Sequence, residues 1–335
     1  AGVFYKLGKD DMMSYSTNSN GEVMITDYSG SYDIGVYADE YLPAKQTVTI
    51  VNNSENTVTI RIIKKTIVVG ELTYKRMNFE EIVAAGIDPY SPENQYVYKY
   101  EINLTYGTTS YKGTAIKSQG TSDVQPVEIT DWHQTSGGTS DTTLKGGYVW
   151  IIDDDKNSED YNNTYKSSSR QIVAVLEIPG ETSWLKEFFD VQLHIHNQAE
   201  KEFVIDDCVA ELNYPEDGLT LMTNIADKYS EEKYVHIGSI AGQEDKYINW
   251  ILRGEKQGEY DISAKFKGTL RDFNQEINAD FKCSEPIKVY GSEGISMDIE
   301  AEDTIDDGYL YFNTIFKNQS GREVSLMNMS IDGIQ

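Results

Sequence analysis

The chain has 335 residues, with 29 Lys and Arg against 55 Asp and Glu and a formal net charge of −26 at pH 7. At about 150 residues per domain this length predicts two to four domains, and the negative charge repels phosphate backbones and anionic headgroups, which excludes nucleic acid as a partner. With 39% hydrophobic residues and 24 tyrosines the chain can bury cores, and no run approaches the ~18 apolar residues of a membrane span, so no membrane insertion is expected.

From Gly21 to Ile63 the sequence alternates strand and turn: GEVMIT, SYDIGVYA, QTVTIV and TVTIRII. Tyr32, Ile34, Val36 and Ala38 share one face, as do Val48 and Ile50, and then Val58, Ile60 and Ile62. Asn52, Asn53 and Ser54 supply a turn. Strands this closely spaced predict a sandwich or small barrel. The stretch from Gly30 to Pro43, a G-x-Y-x-I-x-V-x-A strand followed by Tyr41 and Pro43, resembles the carboxypeptidase regulatory-like domain. That resemblance implies a transthyretin-like sandwich over residues 1–64, of a kind used as a spacer in secreted bacterial proteins. The late-strand Glu of related domains with internal Lys–Asn bonds has no counterpart, so no isopeptide is predicted.

A second unit, 65–181, opens with TIVVGELTYKRM and one helix from Asn78 to Ala85. Asn78 is the N-cap, Glu81 stands at the capping-box position, Phe79, Ile82 and Val83 form an apolar stripe, and Gly86 ends the helix. In QYVYKYEINLTYG the residues Tyr98, Tyr100, Ile102, Leu104 and Tyr106 alternate with polar positions, and the face bearing Ile102 and Leu104 is expected inward. Between Gly107 and Lys145 Gly, Ser and Thr dominate, which predicts long loops. GGYVWIID and SRQIVAVLEIPG then return to strand pattern and are expected to close this unit.

The third unit, 182–291, contains WLKEFFDVQLHIHNQ, EFVIDDCVAELNYP, KYVHIGSI, DKYINWILRG, GEYDISAKFKG and NQEINADFKC. A strand ending in Asn197, the PEDGL turn, Trp250 and the late G-E-Y-x-I-x-A strand resemble bacterial immunoglobulin-like modules of the CARDB adhesion class. Asn197 to Glu202 also aligns with Asn318 to Glu323, at an offset of 121 residues, each after an aromatic-rich strand. A period of one module length points to tandem domains, and makes residues 292–335 the start of a further immunoglobulin-like module. The chain begins at Ala1 and MNMSIDGIQ breaks off within a strand pattern, so the sequence reads as a stretch of a longer polypeptide.

Candidate chemistry is sparse. Asp153, Asp155 and Asn157 occupy the first, third and fifth positions of a calcium-loop spacing, and Glu159 adds a further oxygen ligand. Ser158 then replaces the turn glycine and Thr164 stands where a bidentate acid belongs, so calcium competes with a plain solvated turn. His194 and His196 share a strand face with Asp190 and Gln192, an arrangement that with a third ligand, His236 or His133, suits zinc, or that lies on a solvent or interdomain face. Cys208 and Cys283 fall on apolar strand faces, as a disulfide in an oxidising compartment or as two reduced core thiols. Trp150, Trp184 and Trp250 read as core residues, while Tyr161 and Tyr165 are candidates for stacking on sugars. There is no G-x-S-x-G, HExxH, P-loop or dinucleotide fingerprint, and no carboxylate pair in a recognisable motif.

The expectation is an all-β chain of tandem immunoglobulin-like and transthyretin-like β-sandwiches with one short helix, and not an enzyme. With the two resemblances it implies an extracellular, cell-surface role, structural or adhesive, with other protein subunits or cell-surface components as partners and assembly into a surface filament as one form of it. The alternative is a set of accessory modules that bind glycans for a secreted polysaccharide-active enzyme.

Overall fold

A computed structural model describes residues 2–7, 13–26, 28–38, 41–42, 44–51, 57–64, 66–118, 124–129, 131–136, 144–152, 164–166, 171–178, 182–223, 229–283, 285–301 and 312–320. The chain is all-β, and its described residues form largely antiparallel sheets with one short α-helix. Its described residues fall into two units, one within 1–68 and 104–110, the other within 69–103 and 111–324.

The first unit holds β1 (Gly2–Leu7), β2 (Met13–Ser16), β3 (Gly30–Tyr37), β4 (Tyr41–Leu42), β5 (Ala44–Ile50) and β6 (Ile63–Lys64). Four of these form an antiparallel sheet in the order β2-β1-β3-β5, with Leu7 opposite Tyr32 and Tyr32 opposite Val48. Tyr32 is the one fully buried side chain among those described in this sheet, and its hydroxyl donates to the Tyr28 carbonyl at 2.6 Å. Two predicted strands are not formed. GEVMIT and residues 57–62 are irregular, with Met24 and Val58 exposed, and only Ile63–Lys64 pairs, with β4. Alternation makes a strand only where an edge is free to accept it.

The next elements in the chain are β7 (Ile67–Arg76), α1 (Phe79–Ala84), β8 (Val97–Tyr106), β9 (Thr109–Ser118), β10 (Val124–Ile129) and β11 (Asp131–Ser136). The helix has the predicted capping box: Glu81 N–H donates to Asn78 Oδ1 at 2.9 Å, and Asn78 N–H donates to Glu81 Oε2 at 2.8 Å. Gly86, at φ +73°, ends it in a conformation that glycine adopts without strain. The stripe is narrower than predicted. Ile82 packs with Met77 and Val97, while Phe79 and Val83 stay 54% and 50% exposed. On β8 the expected inward set holds throughout, since Tyr98, Tyr100, Ile102, Leu104 and Tyr106 are all buried, and Tyr74 sets its ring 5.9 and 5.8 Å from those of Tyr98 and Tyr100. Gly70 lets β7 approach β8, because a Cβ there would stand 2.9 Å from the Asn103 carbonyl oxygen.

Next come β12 (Leu144–Ile152), β13 (Thr164–Lys166), β14 (Gln171–Glu177), β15 (Thr182–Trp184), β16 (Phe188–Asn197), β17 (Ile205–Asn213), β18 (Leu219–Leu221), β19 (Tyr234–Ile240) and β20 (Glu244–Gly254). The last are β21 (Gly258–Tyr260), β22 (Ser263–Leu270), β23 (Gln275–Lys282), β24 (Ile287–Tyr290), β25 (Ile295–Ala301) and β26 (Phe312–Asn318). One sheet has the order β11-β9-β8-β7-β13. A six-stranded sheet, β10-β12-β14-β16-β20-β18, and a four-stranded sheet, β19-β17-β22-β23, supply the main core.

Trp150, Ile172, Ala174, Leu176, Leu193, Ile195, Trp250 and Leu252 line that core from the first sheet, and Ile205, Ala210, Leu212, Phe266, Ile277 and Phe281 from the second. Each fully buried Leu, Ile or Phe contributes about 1.5–3 kcal/mol. Tyr148 ties the layers further by donating to the Asp280 carbonyl at 3.3 Å. The sequence boundary at 181/182 runs through this six-stranded sheet, because β14 pairs with β12 on one side and β16 on the other. All seven residues of β14 are buried, as the unbroken IVAVL run requires of a strand covered on both faces.

A short third sheet, β15-β24-β21, includes the parallel pair β15–β24. The chain then forms the two-stranded β25–β26 sheet, which repeats the β14–β16 pairing. Ile172 stands opposite Asn197 in the one and Ile295 opposite Asn318 in the other. Gln198 N–H donates to the Gln171 carbonyl at 2.9 Å, and Gln319 N–H to the Gly294 carbonyl at 2.9 Å. Both asparagines close the strand with the same turn: Asn197 Oδ1 accepts from Ala199 N–H at 3.2 Å and Asn318 Oδ1 from Ser320 N–H at 3.0 Å.

Candidate functional site

A linked set of titratable side chains lies where β16 meets β20. The antiparallel register sets Gln192 opposite Asn249, His194 opposite Tyr247 and His196 opposite Asp245. Both strands alternate, so the apolar residues Val191, Leu193 and Ile195 enter the core and the polar ones share the other face. His194 Nε2 donates to Asp245 Oδ1 at 2.8 Å and His196 Nδ1 donates to the same oxygen at 3.0 Å. An ionised carboxylate only accepts, so each ring presents an N–H at that nitrogen. Tyr247 stacks on His194 with centroids 3.9 Å apart, and Gln192 Nε2 donates to Asn249 Oδ1.

Burial alone would raise the Asp245 carboxyl, but the hydrogen bonds from His194 and His196, and their charge, outweigh it and hold the group well below the usual carboxylate range. The His-x-His face of the sequence is therefore an interior one at His194, and its third member is Asp245. His236 lies on β19, in the other sheet, with its ring edge-on to Tyr234. His133 falls in β11, and its side chain is outside the described residues. Among the described residues no group of three or more His, Cys, Asp or Glu is arranged to hold a metal. The triad's evident work is to cross-link two central strands.

The other candidates divide in the same way. Asp153, Asp155, Asn157 and Glu159, the calcium-loop residues, follow β12 and lie outside the described residues, as does Tyr161. Cys208 and Cys283 are free thiols. Burial pushes Cys208 up to about 12 and Cys283 up to about 11, so both are protonated and poor nucleophiles at neutral pH. Trp150 and Trp250 are core residues, and Trp250 Nε1 donates to the Glu232 carbonyl at 3.0 Å.

Among the described residues, two exposed aromatic pairs are not coplanar. Phe79 and Tyr90 meet at 70°, and Tyr234 meets His236 at 78°. Sequence reasoning missed the bulge in β17, where the register shifts between Ile205 and Cys208 and Asp207 takes φ +52°. There Asp206 turns outward to accept from Arg271 Nε at 2.6 Å and Ser239 Oγ at 2.7 Å, which lowers its carboxyl to about 2. The apolar spacing Ile205, Cys208, Ala210 was the available sign of that bulge.

Among the described residues no helix is long and apolar enough to cross a membrane. No family model matches the chain, and no curated protein matches it. Among solved structures the chain aligns with a cohesin module from the family 33 glycoside hydrolase of Clostridium perfringens ATCC13124, at 12% identity and a TM-score of 0.26, over 36% of this chain and 96% of that one. A likeness that loose carries no weight for the fold or partners of this chain.

Proposed function

We propose that this chain is a non-catalytic structural or adhesive segment of a larger modular bacterial protein, secreted or held at the cell surface, whose partners are other protein subunits or surface components. The observation that supports this reading most is the recurrence of one strand-pair geometry, β14–β16 and β25–β26, with Asn197 and Asn318 closing each copy in the same turn. Chains that repeat a strand unit end to end work by presenting surface and length, whereas an active site is a single constellation. The binding of Asp245 by two histidines and the raised Cys208 and Cys283 thiols agree with it, since these groups hold the fold together.

Glycan-array binding by the recombinant chain, read beside its self-association by sedimentation, tests the proposal. The structural reading expects no saturable glycan signal. A glycan class bound with a Kd in the micromolar range would replace it with the accessory carbohydrate-binding role.

A further inference from the structure

Trp184 reads as a core residue in the sequence, yet in the structure it is only half-buried and stands where the sandwich gives way to the β25–β26 sheet. The parallel pairing of β15 with β24 sets it opposite Tyr290, with ring centroids 5.9 Å apart. Only four residues, 291–294, separate the end of β24 from the start of β25. A connection this short between two packed bodies is an ordinary place for a hinge.

Both sides of this connection are tied down. On the sandwich side, the turn that carries the indole is closed by its own bonds. Trp184 N–H donates to Glu187 Oε2 at 2.7 Å, Glu187 N–H to the Trp184 carbonyl at 2.9 Å, and Leu185 N–H to the Tyr290 carbonyl at 2.8 Å. The far edge of the indole lies against Gly294, where a Cβ would stand 2.6 Å from Cζ3 and 2.7 Å from Cη2. Only glycine admits so close an approach. On the other side, Gly294 belongs to the sheet: β25 starts at the next residue, and Gln319 N–H, at the end of β26, donates to the Gly294 carbonyl at 2.9 Å. The sheet therefore cannot swing about residues 291–293 without drawing Gly294 off the indole. The turn between is itself closed, with Gly294 N–H donating to the Gly291 carbonyl at 3.2 Å and Gly291 N–H to Glu293 Oε1 at 2.9 Å.

We infer that residues 291–294 form a locked joint, in which Trp184 is the wedge that fixes the direction in which the β25–β26 sheet leaves the sandwich. Trp184 is thus a positioning residue, and its partner is the bare backbone of Gly294. The inference goes beyond the proposed role and stands whether or not that role is adhesive.

Spin-label distances across the joint of the full chain test it, measured by double electron–electron resonance. Glu300→Cys on β25 and Lys265→Cys on β22 carry the labels at exposed positions. Cys283→Ser removes the more accessible native thiol, Cys208 being buried, and dilution with unlabelled chain leaves only distances within one molecule. A locked joint gives one narrow distance distribution. Trp184→Ala should widen it and abolish the single maximum while the circular dichroism spectrum stays the same. Gly294→Ala, which alters no residue of the sandwich, should shift or widen the distribution too, and it decides the matter should Trp184→Ala fail to fold. A broad distribution in the chain with its joint intact overturns the inference. So does a narrow one that a folded Trp184→Ala chain retains, or that Gly294→Ala retains.

Discussion

The β2-β1-β3-β5 sheet and the ten-strand sandwich of β10-β12-β14-β16-β20-β18 with β19-β17-β22-β23 begin from the same sequence signal, short runs in which apolar and polar residues alternate. Their outcomes differ. In the first, Tyr32 is the one fully buried side chain among those described, and Ile34, Val36, Val48 and Ile50 remain half-buried. In the second, two Trp residues and two Phe residues are fully buried among some two dozen aliphatic neighbours. Alternation specifies a strand and a face. Only a second layer with a matching apolar pattern turns that face into a core.

The sharpest way to break this contrast is to remove a large side chain from each region. Trp250→Ala empties a site in the middle of the sandwich core and should cost about 3–5 kcal/mol in urea unfolding followed by circular dichroism. Tyr28→Ala changes an exposed residue of the first unit and should stay within about 1 kcal/mol, because the Tyr32 hydroxyl bonds to the backbone carbonyl of Tyr28, which the substitution keeps. Comparable losses for the two would show that the first unit has a core the alternation rule does not explain.

A smaller effect separates packing from polar cross-linking within the sandwich itself. Asp245→Ala strips the acceptor from two histidines, one of them buried, at a cost of about 1–3 kcal/mol. The pH dependence has a definite sign. The Asp245 carboxyl lies lower in the folded chain than its unfolded value near 4, so its contribution is full above about pH 4 and is lost as pH falls through the folded value. Asp245→Asn should therefore flatten the acid limb of a stability curve measured between about pH 2 and 5. Asp206, held at about 2 by Arg271 and Ser239, loses its contribution in the same acidic direction, and Asp206→Asn should flatten the curve less because that ion pair faces solvent. An Asp245→Asn curve parallel to that of the unmodified chain would mean that the two histidine bonds add nothing to folding.

The strands after residue 65 were also the more legible, for reasons that particular residues make plain. On β8 strict alternation named every buried residue from Tyr98 to Tyr106, because one face packs and the other does not. The repeat of Asn197 at Asn318 was readable because the same turn demands the same side chain. Asp245 as the partner of His194 and His196 was not readable, since nothing in the chain between them fixes the register of β16 on β20. Its one trace is a second polar stripe, Asp245, Tyr247 and Asn249, matching Gln192, His194 and His196. The boundary at 181/182 took β14 as the strand that closes its unit, whereas the IVAVL run itself signals the middle of a sheet. In the first unit, residues 57–62 alternate as well as any strand, yet they are irregular, because pairing depends on partners that local sequence cannot reveal.

The smallest effect worth measuring lies at α1, where sequence and structure agree most closely. The reciprocal bonds of Asn78 and Glu81 satisfy two backbone donors that the helix cannot satisfy itself. Glu81 is further engaged by Lys75 at 2.9 Å, and the Asn78 backbone bond foremost, then Lys75, lowers its carboxyl. Asn78→Ala removes the side-chain half of the box and should cost about 1 kcal/mol, less than the loss at Asp245 because the group is exposed to water that can replace it. Asn78→Asp keeps the acceptor and should restore most of the loss, which separates capping from any effect of side-chain size. Because only Ile82 of this helix is fully buried, the capping box carries a larger share of its stability than caps do in longer helices. Amide exchange at Ile82 and Val83 should therefore quicken in Asn78→Ala while exchange in β8 is unchanged. Equal quickening in both would show that the helix and its sheet open as one unit and that the cap acts on the whole of it.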